Sequence, residues 1–161
     1  MRTNVEQRRL RRSLRVLMLL LVGLFLLATP ARAATFAVTT TADSGPGSLR
    51  HAILDANASP GADTITFAIG AMGSQQTIQP TSALPTITEP VTIDGWSQGG
   101  SSYTGPPLIE LRGSLAGSSN IGLNVIGGGS TVRGLVINGF TGTNGAGIRL
   151  QTGGGNWLYG N

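Results

Sequence analysis

Apolar and polar residues alternate along most of the chain after residue 33, in short runs bounded by Gly, Ser, Asn or Pro. A period of two over four to seven residues is typical of a β-strand with one buried face. The pattern therefore predicts a succession of short strands with turns between them. The predicted runs cover residues 35–41, 64–69, 91–93, 108–112, 121–125, 132–137 and 148–150. Residues 71–76 and 96–107 are predicted to be loops.

One segment departs from this period and predicts a helix over residues 49–58. Apolar side chains fall at i, i+3, i+4 and i+7 from Leu49, and Ser48 is a suitable N-cap. Ser48, His51 and Asp55 are also spaced along this helix, which raises the question of a nucleophilic triad. A working triad needs side chains that converge from different elements. The spacing therefore favours a capping serine and an exposed helical pair.

An eight-residue pattern recurs near the end of the chain. Gly122–Gly129 reads GLNVIGGG and Gly147–Gly154 reads GIRLQTGG, 25 positions later. Strand-plus-glycine-turn units at such a period are typical of stacked repeats. The echo predicts an all-β solenoid of parallel strands over residues 63–161, with an N-terminal strand and capping helix over residues 34–62. A β-sandwich or small barrel fits the strand lengths, but it gives no reason for the echo.

The first 33 residues have the composition of an export signal. Seven of the eleven arginines lie there, followed by an apolar run over residues 16–28 and a small-x-small ending at Ala33. These features predict a secretory signal peptide over residues 1–33, cleaved near Ala33. The alternative is a membrane anchor, but the apolar run is shorter than the roughly 20 residues that a spanning helix needs.

Removing the leader changes the charge of the protein. Four arginines and six carboxylates remain after residue 33, so the net charge becomes −2, and the chain has no lysine and no cysteine. Nucleic-acid binding needs clustered cations and is not expected. Disulfides and thiolate chemistry are excluded. We expect a secreted, extracellular or cell-surface protein with no membrane association after signal removal.

Several segments resemble one family. FAVTTTADSGPGSLRHAI from Phe36, with the later PVTIDG from Pro90 and STVRGLVINGF from Ser130, is similar to secreted bacterial right-handed parallel β-helix proteins. Some members carry the hexapeptide C-S-L-R-E-A, where this chain has Gly47 and His51 in place of the Cys and Glu. The resemblance implies export and a right-handed, pectate-lyase-like parallel β-helix. It implies no particular activity, because one fold hosts many functions.

Asp94, Glu110 and Arg112 are the candidate catalytic residues. The resemblance includes β-helix polysaccharide lyases and hydrolases. These enzymes carry carboxylates and a basic residue on one outer face. Glu110 and Arg112 are two apart in a predicted strand and therefore share a face. The alternative is a solvated face with a local ion pair. No metal site or cofactor is predicted.

Trp157, Tyr159 and Arg149 are the candidate ligand-binding residues. Trp157 and Tyr159 are two apart in a predicted strand and could stack together on sugar rings, as could Trp96 and Tyr103. The alternative is that these rings serve only in packing.

The predicted function is a structural, adhesive or carbohydrate-binding scaffold. Its expected partners are extracellular polysaccharide or other cell-surface components. The alternative is a β-helix polysaccharide lyase or glycoside hydrolase. Because Asn161 falls inside what should be the next strand of a coil, we also expect the chain to be the N-terminal part of a larger protein.

Overall fold

Ten short strands, one α-helix and one 3-10 helix make up the regular structure in a computed structural model that describes residues 32–118 and 120–161. The predicted signal peptide lies outside the described residues except for its last two positions. The elements are β1 Thr35–Val38, α1 Leu49–Ala58, β2 Asp63–Phe67, β3 Gln76–Ile78, β4 Val91–Asp94, the 3-10 helix Gly95–Gly99, β5 Ile109–Arg112, β6 Ile121–Val125, β7 Thr131–Arg133, β8 Leu135–Asn138, β9 Ala146–Leu150 and β10 Trp157–Tyr159. Among the described residues, no helix has the length and apolar character needed to cross a bilayer.

Every strand pair between these elements is parallel. The strands form a five-stranded sheet in the order β1-β2-β4-β7-β10, a three-stranded sheet β3-β5-β8 and a two-stranded sheet β6-β9. The two copies of the glycine echo are neighbours in the smallest sheet, where Leu123 pairs with Ile148. The sequence echo therefore marks two adjacent parallel strands.

The prediction of an all-β, right-handed parallel β-helix is wrong. The described chain is mixed α/β: short strands in three open parallel sheets plus a helix, with no closed or solenoid sheet. A fixed repeat would place paired residues at a constant separation. Instead the separation is 25 residues between Ile121 and Ala146, but 39 between Thr92 and Thr131. The 25-residue repeat therefore applies to one strand pair and does not extend to the other strands.

Alternation in the strands sorts side chains between the core and the outer surface. In the five-stranded sheet, one row of register partners carries apolar side chains: Phe36, Ile65, Ile93, Val132 and Leu158. The three central members of this row are fully buried. Because successive side chains point to opposite faces, the flanking rows lie on the outer face of the sheet.

The helix packs its apolar stripe into the same core. The predicted bounds, Leu49–Ala58, and the predicted N-cap Ser48 are confirmed. Leu49, Ala52, Ile53 and Ala56 are buried, as the spacing requires. The helix is thus an integral part of the core, which is the second reason that the all-β class fails.

A buried glutamine organises the two predicted loops. Gln98 lies in the 3-10 helix and is 1% exposed. Its side-chain amide accepts a hydrogen bond from the N–H of Ile69 at 2.8 Å and donates one to the carbonyl of the same residue at 2.8 Å. The segment after β2 is therefore held by a side chain in place of a neighbouring strand. The predicted loop over 71–76 ends one residue early, because β3 begins at Gln76.

Candidate functional site

Three strands of the five-stranded sheet end in the same way. Asp94, Arg133 and Tyr159 occupy neighbouring register positions on β4, β7 and β10, and each is followed by a glycine. Being next to the inward row, these three side chains lie on the outer face. Residues far apart in the sequence therefore meet in one row across the sheet.

Arg133 is the centre of this row. Its Nη2 donates to Oδ2 of Asp94 at 2.7 Å, and its Nη1 donates to the hydroxyl of Tyr159 at 2.9 Å. These hydrogen bonds, the one to Asp94 first, raise the pKa of Arg133 above its ordinary value. The guanidinium is thus fixed as a cation with its charge balanced by Asp94.

Trp96 completes an aromatic cluster around this arginine. Oδ1 of Asp94 accepts a hydrogen bond from the backbone N–H of Trp96 at 3.2 Å, which fixes the start of the 3-10 helix. The Trp96 ring lies 5.9 Å from the Tyr159 ring at an interplanar angle of 57°. Cζ of Arg133 lies 5.9 Å from the Trp96 ring centroid and 6.0 Å from that of Tyr159, within cation–π range.

Glycines after the strands make room for the Trp96 ring. A Cβ on Gly134 would lie 2.7 Å from Cγ of Trp96, and one on Gly160 would lie 2.5 Å from Cζ2. Both glycines have positive φ, near +67° and +66°. Any larger residue at either position would displace the indole and strain the backbone.

Two depressions adjoin the cluster. One, of about 430 Å³, is lined by Asp94, Trp96, Ser97, Gly100, Ser101, Tyr103 and Arg133. The other, an open cleft of about 540 Å³, is lined by Thr131, Trp157 and Tyr159. Trp157 is 68% exposed, and Tyr159 is 41% exposed. We call Trp96, Arg133, Trp157 and Tyr159 together the aromatic face.

The aromatic face contains two hydrogen-bond donors that have no acceptor in the described part of the chain. They are Nε1 of Trp96 and Nε of Arg133, and both are buried. An unpaired buried donor costs free energy, so each such group in a native structure calls for an explanation.

Glu110 and Arg112 form a separate group on the three-stranded sheet. Oε1 of Glu110 accepts hydrogen bonds from Nη2 of Arg112 at 2.9 Å and from Nδ2 of Asn138 at 2.8 Å, and Oε2 accepts one from Thr77 at 2.8 Å. The bonds from Asn138 and Thr77, ahead of that from Arg112, lower the pKa of Glu110 below its ordinary range. A carboxylate stabilised in its ionised form is poorly suited to act as a general acid.

The structure therefore divides the predicted catalytic residues. Asp94 belongs to β4 and binds Arg133, whereas Glu110 and Arg112 belong to β5 and bind each other. The two carboxylates lie on different sheets and bind different partners. Each carboxylate forms an ion pair with an arginine.

The predicted ligand-binding residues are divided in a similar way. Trp157 and Tyr159 share one face of β10 and line the same cleft, as their spacing indicates. Arg149 lies on β9 in the two-stranded sheet, where its Nη2 donates to the carbonyl of Asn144 at 2.9 Å. Arg149 thus stands apart from the two rings.

No triad forms on the helix. Ser48 is fully buried, and its Oγ accepts a hydrogen bond from the backbone N–H of His51 while donating to the carbonyl of Gly45. His51 Nε2 instead faces Asp55 at 3.7 Å. The described residues also include no cluster of three or more His, Cys, Asp or Glu side chains that could hold a metal ion.

Sequence reasoning did not anticipate the arrangement around Arg133. It considered Trp96 as a ring that could stack on sugars but did not place it beside Arg133, and it did not single out Ser97 or Ser101, which line the cavity. A usable signal was present in the dipeptides Asp94-Gly95, Arg133-Gly134 and Tyr159-Gly160, each at the end of an alternating run.

In comparisons with protein-family models, curated proteins and solved structures, nothing matches this chain.

Proposed function

We propose that this chain is an exported carbohydrate-binding domain whose ligand surface is the aromatic face. The observation that carries the proposal is the arrangement of rings around Arg133, with Trp157 and Tyr159 exposed beside an open cleft. Export is proposed from the signal-peptide pattern of residues 1–33, and carbohydrate binding from the side chains on the outer face.

Aromatic rings and hydroxyl groups are complementary to the two kinds of surface on a sugar. Trp and Tyr present a broad apolar ring together with a polar atom, so they can stack on the C–H face of a pyranose and still bind its hydroxyls. The hydroxyls of Ser97, Ser101 and Tyr103 around the adjoining cavity supply further polar contacts. A mostly apolar platform with a few fixed polar groups is the usual form of a small-molecule site.

The charges favour a neutral glycan. Arg133 and Asp94 neutralise each other at 2.7 Å, and no other arginine or acidic residue lines either depression. An acidic polysaccharide would find no uncompensated cation here. We therefore place xylan, mixed-linkage glucan and galactomannan ahead of polygalacturonate as ligands.

Binding without cleavage is supported by the state of the carboxylates. Glycoside hydrolysis needs two carboxyl groups about 5 to 9.5 Å apart across one bond, one of them able to donate a proton. Here Asp94 and Glu110 lie on different sheets, and the pKa of Glu110 is lowered.

Isothermal titration calorimetry of the exported protein against these four polysaccharides tests the proposal. We expect Trp157→Ala to weaken binding about tenfold, because aromatic contacts contribute about 0.5–1.5 kcal/mol beyond area burial and 1.4 kcal/mol is one decade. The matched control is Leu54→Ala, a truncation of another exposed apolar side chain, which lies on the helix away from the aromatic face. Equal affinities for Trp157→Ala and the unaltered protein would refute the proposal, as would release of reducing ends from any of the polysaccharides.

A further inference from the structure

A buried carboxylate oxygen near the start of the fold has no partner. Asp63, the first residue of β2, is 1% exposed. Its Oδ1 accepts a hydrogen bond from the backbone nitrogen of Ala34 at 2.7 Å. Its Oδ2 is buried with no hydrogen-bond partner, and no cationic side chain in the described part of the chain forms a salt bridge with it.

Such a group is costly unless a counterion is supplied. A buried ionised carboxylate needs a cation or several hydrogen bonds, and one amide N–H provides neither in full. The structure holds the nitrogen of Ala34 firmly in place, since the carbonyl of Ala34 accepts a hydrogen bond from the N–H of Thr64 at 2.9 Å. The hydrogen-bond donor to this carboxyl group is therefore a backbone nitrogen at a fixed position.

That nitrogen is also the one that leader removal would free. The small-x-small pattern predicts cleavage after Ala33. Hydrolysis of the Ala33–Ala34 bond by a signal peptidase consumes one water, leaves a carboxylate on Ala33 and releases the amine of Ala34. At neutral pH this amine takes up a proton and becomes an ammonium group.

We propose that Ala34 is the N-terminal residue of the mature protein and that its ammonium group is the counterion of Asp63. The ammonium carries three N–H donors where the peptide nitrogen carries one. One donor keeps the bond to Oδ1, and a second becomes available to Oδ2. The ion pair joins the new terminus to β2 and fixes the start of β1, which pairs with β2 from Thr35. This inference rests on the export part of the proposed function and is independent of carbohydrate binding.

The surroundings of the bond agree with this assignment. Arg32 and Ala33 are exposed, whereas Ala34 is half-buried and Asp63 is buried. The fold thus begins to enclose the chain at the residue after the predicted cleavage point. A residue added before Ala34 would move the ammonium group away from the carboxylate into solvent.

The first experiment identifies the terminus. The full chain is expressed with its own leader in a bacterial host, and the exported product is analysed by intact-mass and N-terminal peptide mass spectrometry. We expect a product that begins at Ala34. A product that begins at any other residue, or one that keeps the leader, overturns the proposal.

The second experiment reads the ammonium group directly. The chain contains no lysine, so the α-amine is its only primary amine. We expect acetic anhydride to label this amine at least about tenfold more slowly in the folded product than in a product with one glycine inserted between residues 33 and 34, because the paired amine is held as an ammonium ion. Equal labelling rates in the two products would overturn the pairing even if cleavage occurs after Ala33.

A double-mutant cycle separates the pair from general damage. We expect the glycine insertion and Asp63→Asn each to raise the unfolding equilibrium constant about tenfold or more, and the combined variant to add little further, since either change breaks the same pair. Asp55→Asn, in the exposed helical pair with His51, is the matched control and should have little effect. Additive effects of the insertion and Asp63→Asn mean that the two groups do not interact. If Asp63→Asn does not fold, the labelling comparison decides alone.

Discussion

Replacing Gln98 by methionine should destabilise the protein strongly, although the substitution puts an apolar side chain in place of a polar one in the core. Gln98 is 1% exposed, and both ends of its amide bind the backbone of Ile69 at 2.8 Å. Methionine has a similar length and volume but cannot supply this donor and acceptor. The substitution therefore leaves the N–H and carbonyl of Ile69 buried and unpaired.

The magnitude follows from those two groups. A buried donor or acceptor that loses its partner costs about 1–3 kcal/mol, so two of them predict a loss of about 2–6 kcal/mol. Against a typical domain stability of about 5–15 kcal/mol, this is a large fraction. Gln98→Ala should cost about 1 kcal/mol more than Gln98→Met, because the deleted side-chain atoms leave a cavity.

Urea unfolding followed by circular dichroism measures these differences. At an m-value of about 1–3 kcal/mol/M, the urea midpoint for Gln98→Met should fall by about 0.7 M or more. The control is Gln75→Met, the same substitution at an exposed glutamine of the neighbouring loop. The reasoning is refuted if the two variants unfold within 0.5 kcal/mol of each other.

Two further predictions concern other parts of the fold. Burial raises the pKa of Asp43, but hydrogen bonds from Arg50 and Thr81 outweigh this effect and hold it below its ordinary value. The Asp43 carboxylate therefore contributes stability above the unfolded pKa of about 3.9, and this contribution is lost as the pH falls through the folded value. We expect Arg50→Ala to lower the free energy of unfolding in urea by about 1–3 kcal/mol at pH 7 and by less at pH 2–3. If the difference in stability between Arg50→Ala and the unaltered protein is the same at both pH values, this expectation is wrong. Gly95→Ala places a Cβ in overlap with the carbonyl of Gly134, so it should weaken both stability and xylan binding in the same unfolding and calorimetric assays. Gly154→Ala, which faces open space, is the control, and equal behaviour of the two variants would rule out the close packing described at Gly95.

Local features of this fold were predictable because the signals for them are local. The helix bounds follow from the cap at Ser48 and from the apolar stripe that begins at Leu49, and both are confirmed. The strand Ile121–Val125 follows from strict alternation. The shared face of Trp157 and Tyr159 needs only the period of a strand.

Long-range features were not predictable, because the connections have unequal lengths. Asp94 and Arg133 are 39 residues apart, and no single period in the sequence places them side by side. The 25-residue echo suggested a uniform repeat, which led to the incorrect solenoid prediction. The loop before β3 was likewise misjudged, since Gln98 organises it from a distance.

Parallel pairing also determines how quickly this chain can fold. Paired residues are separated by 25 to 39 positions in every sheet, so no strand can find its neighbour through a tight hairpin. Closing such long segments loses chain entropy before any contact compensates for it, and folding is correspondingly slow, on the order of milliseconds to seconds. Under the export that we propose for this chain, slow folding would keep the polypeptide unfolded long enough to be threaded through a translocation channel.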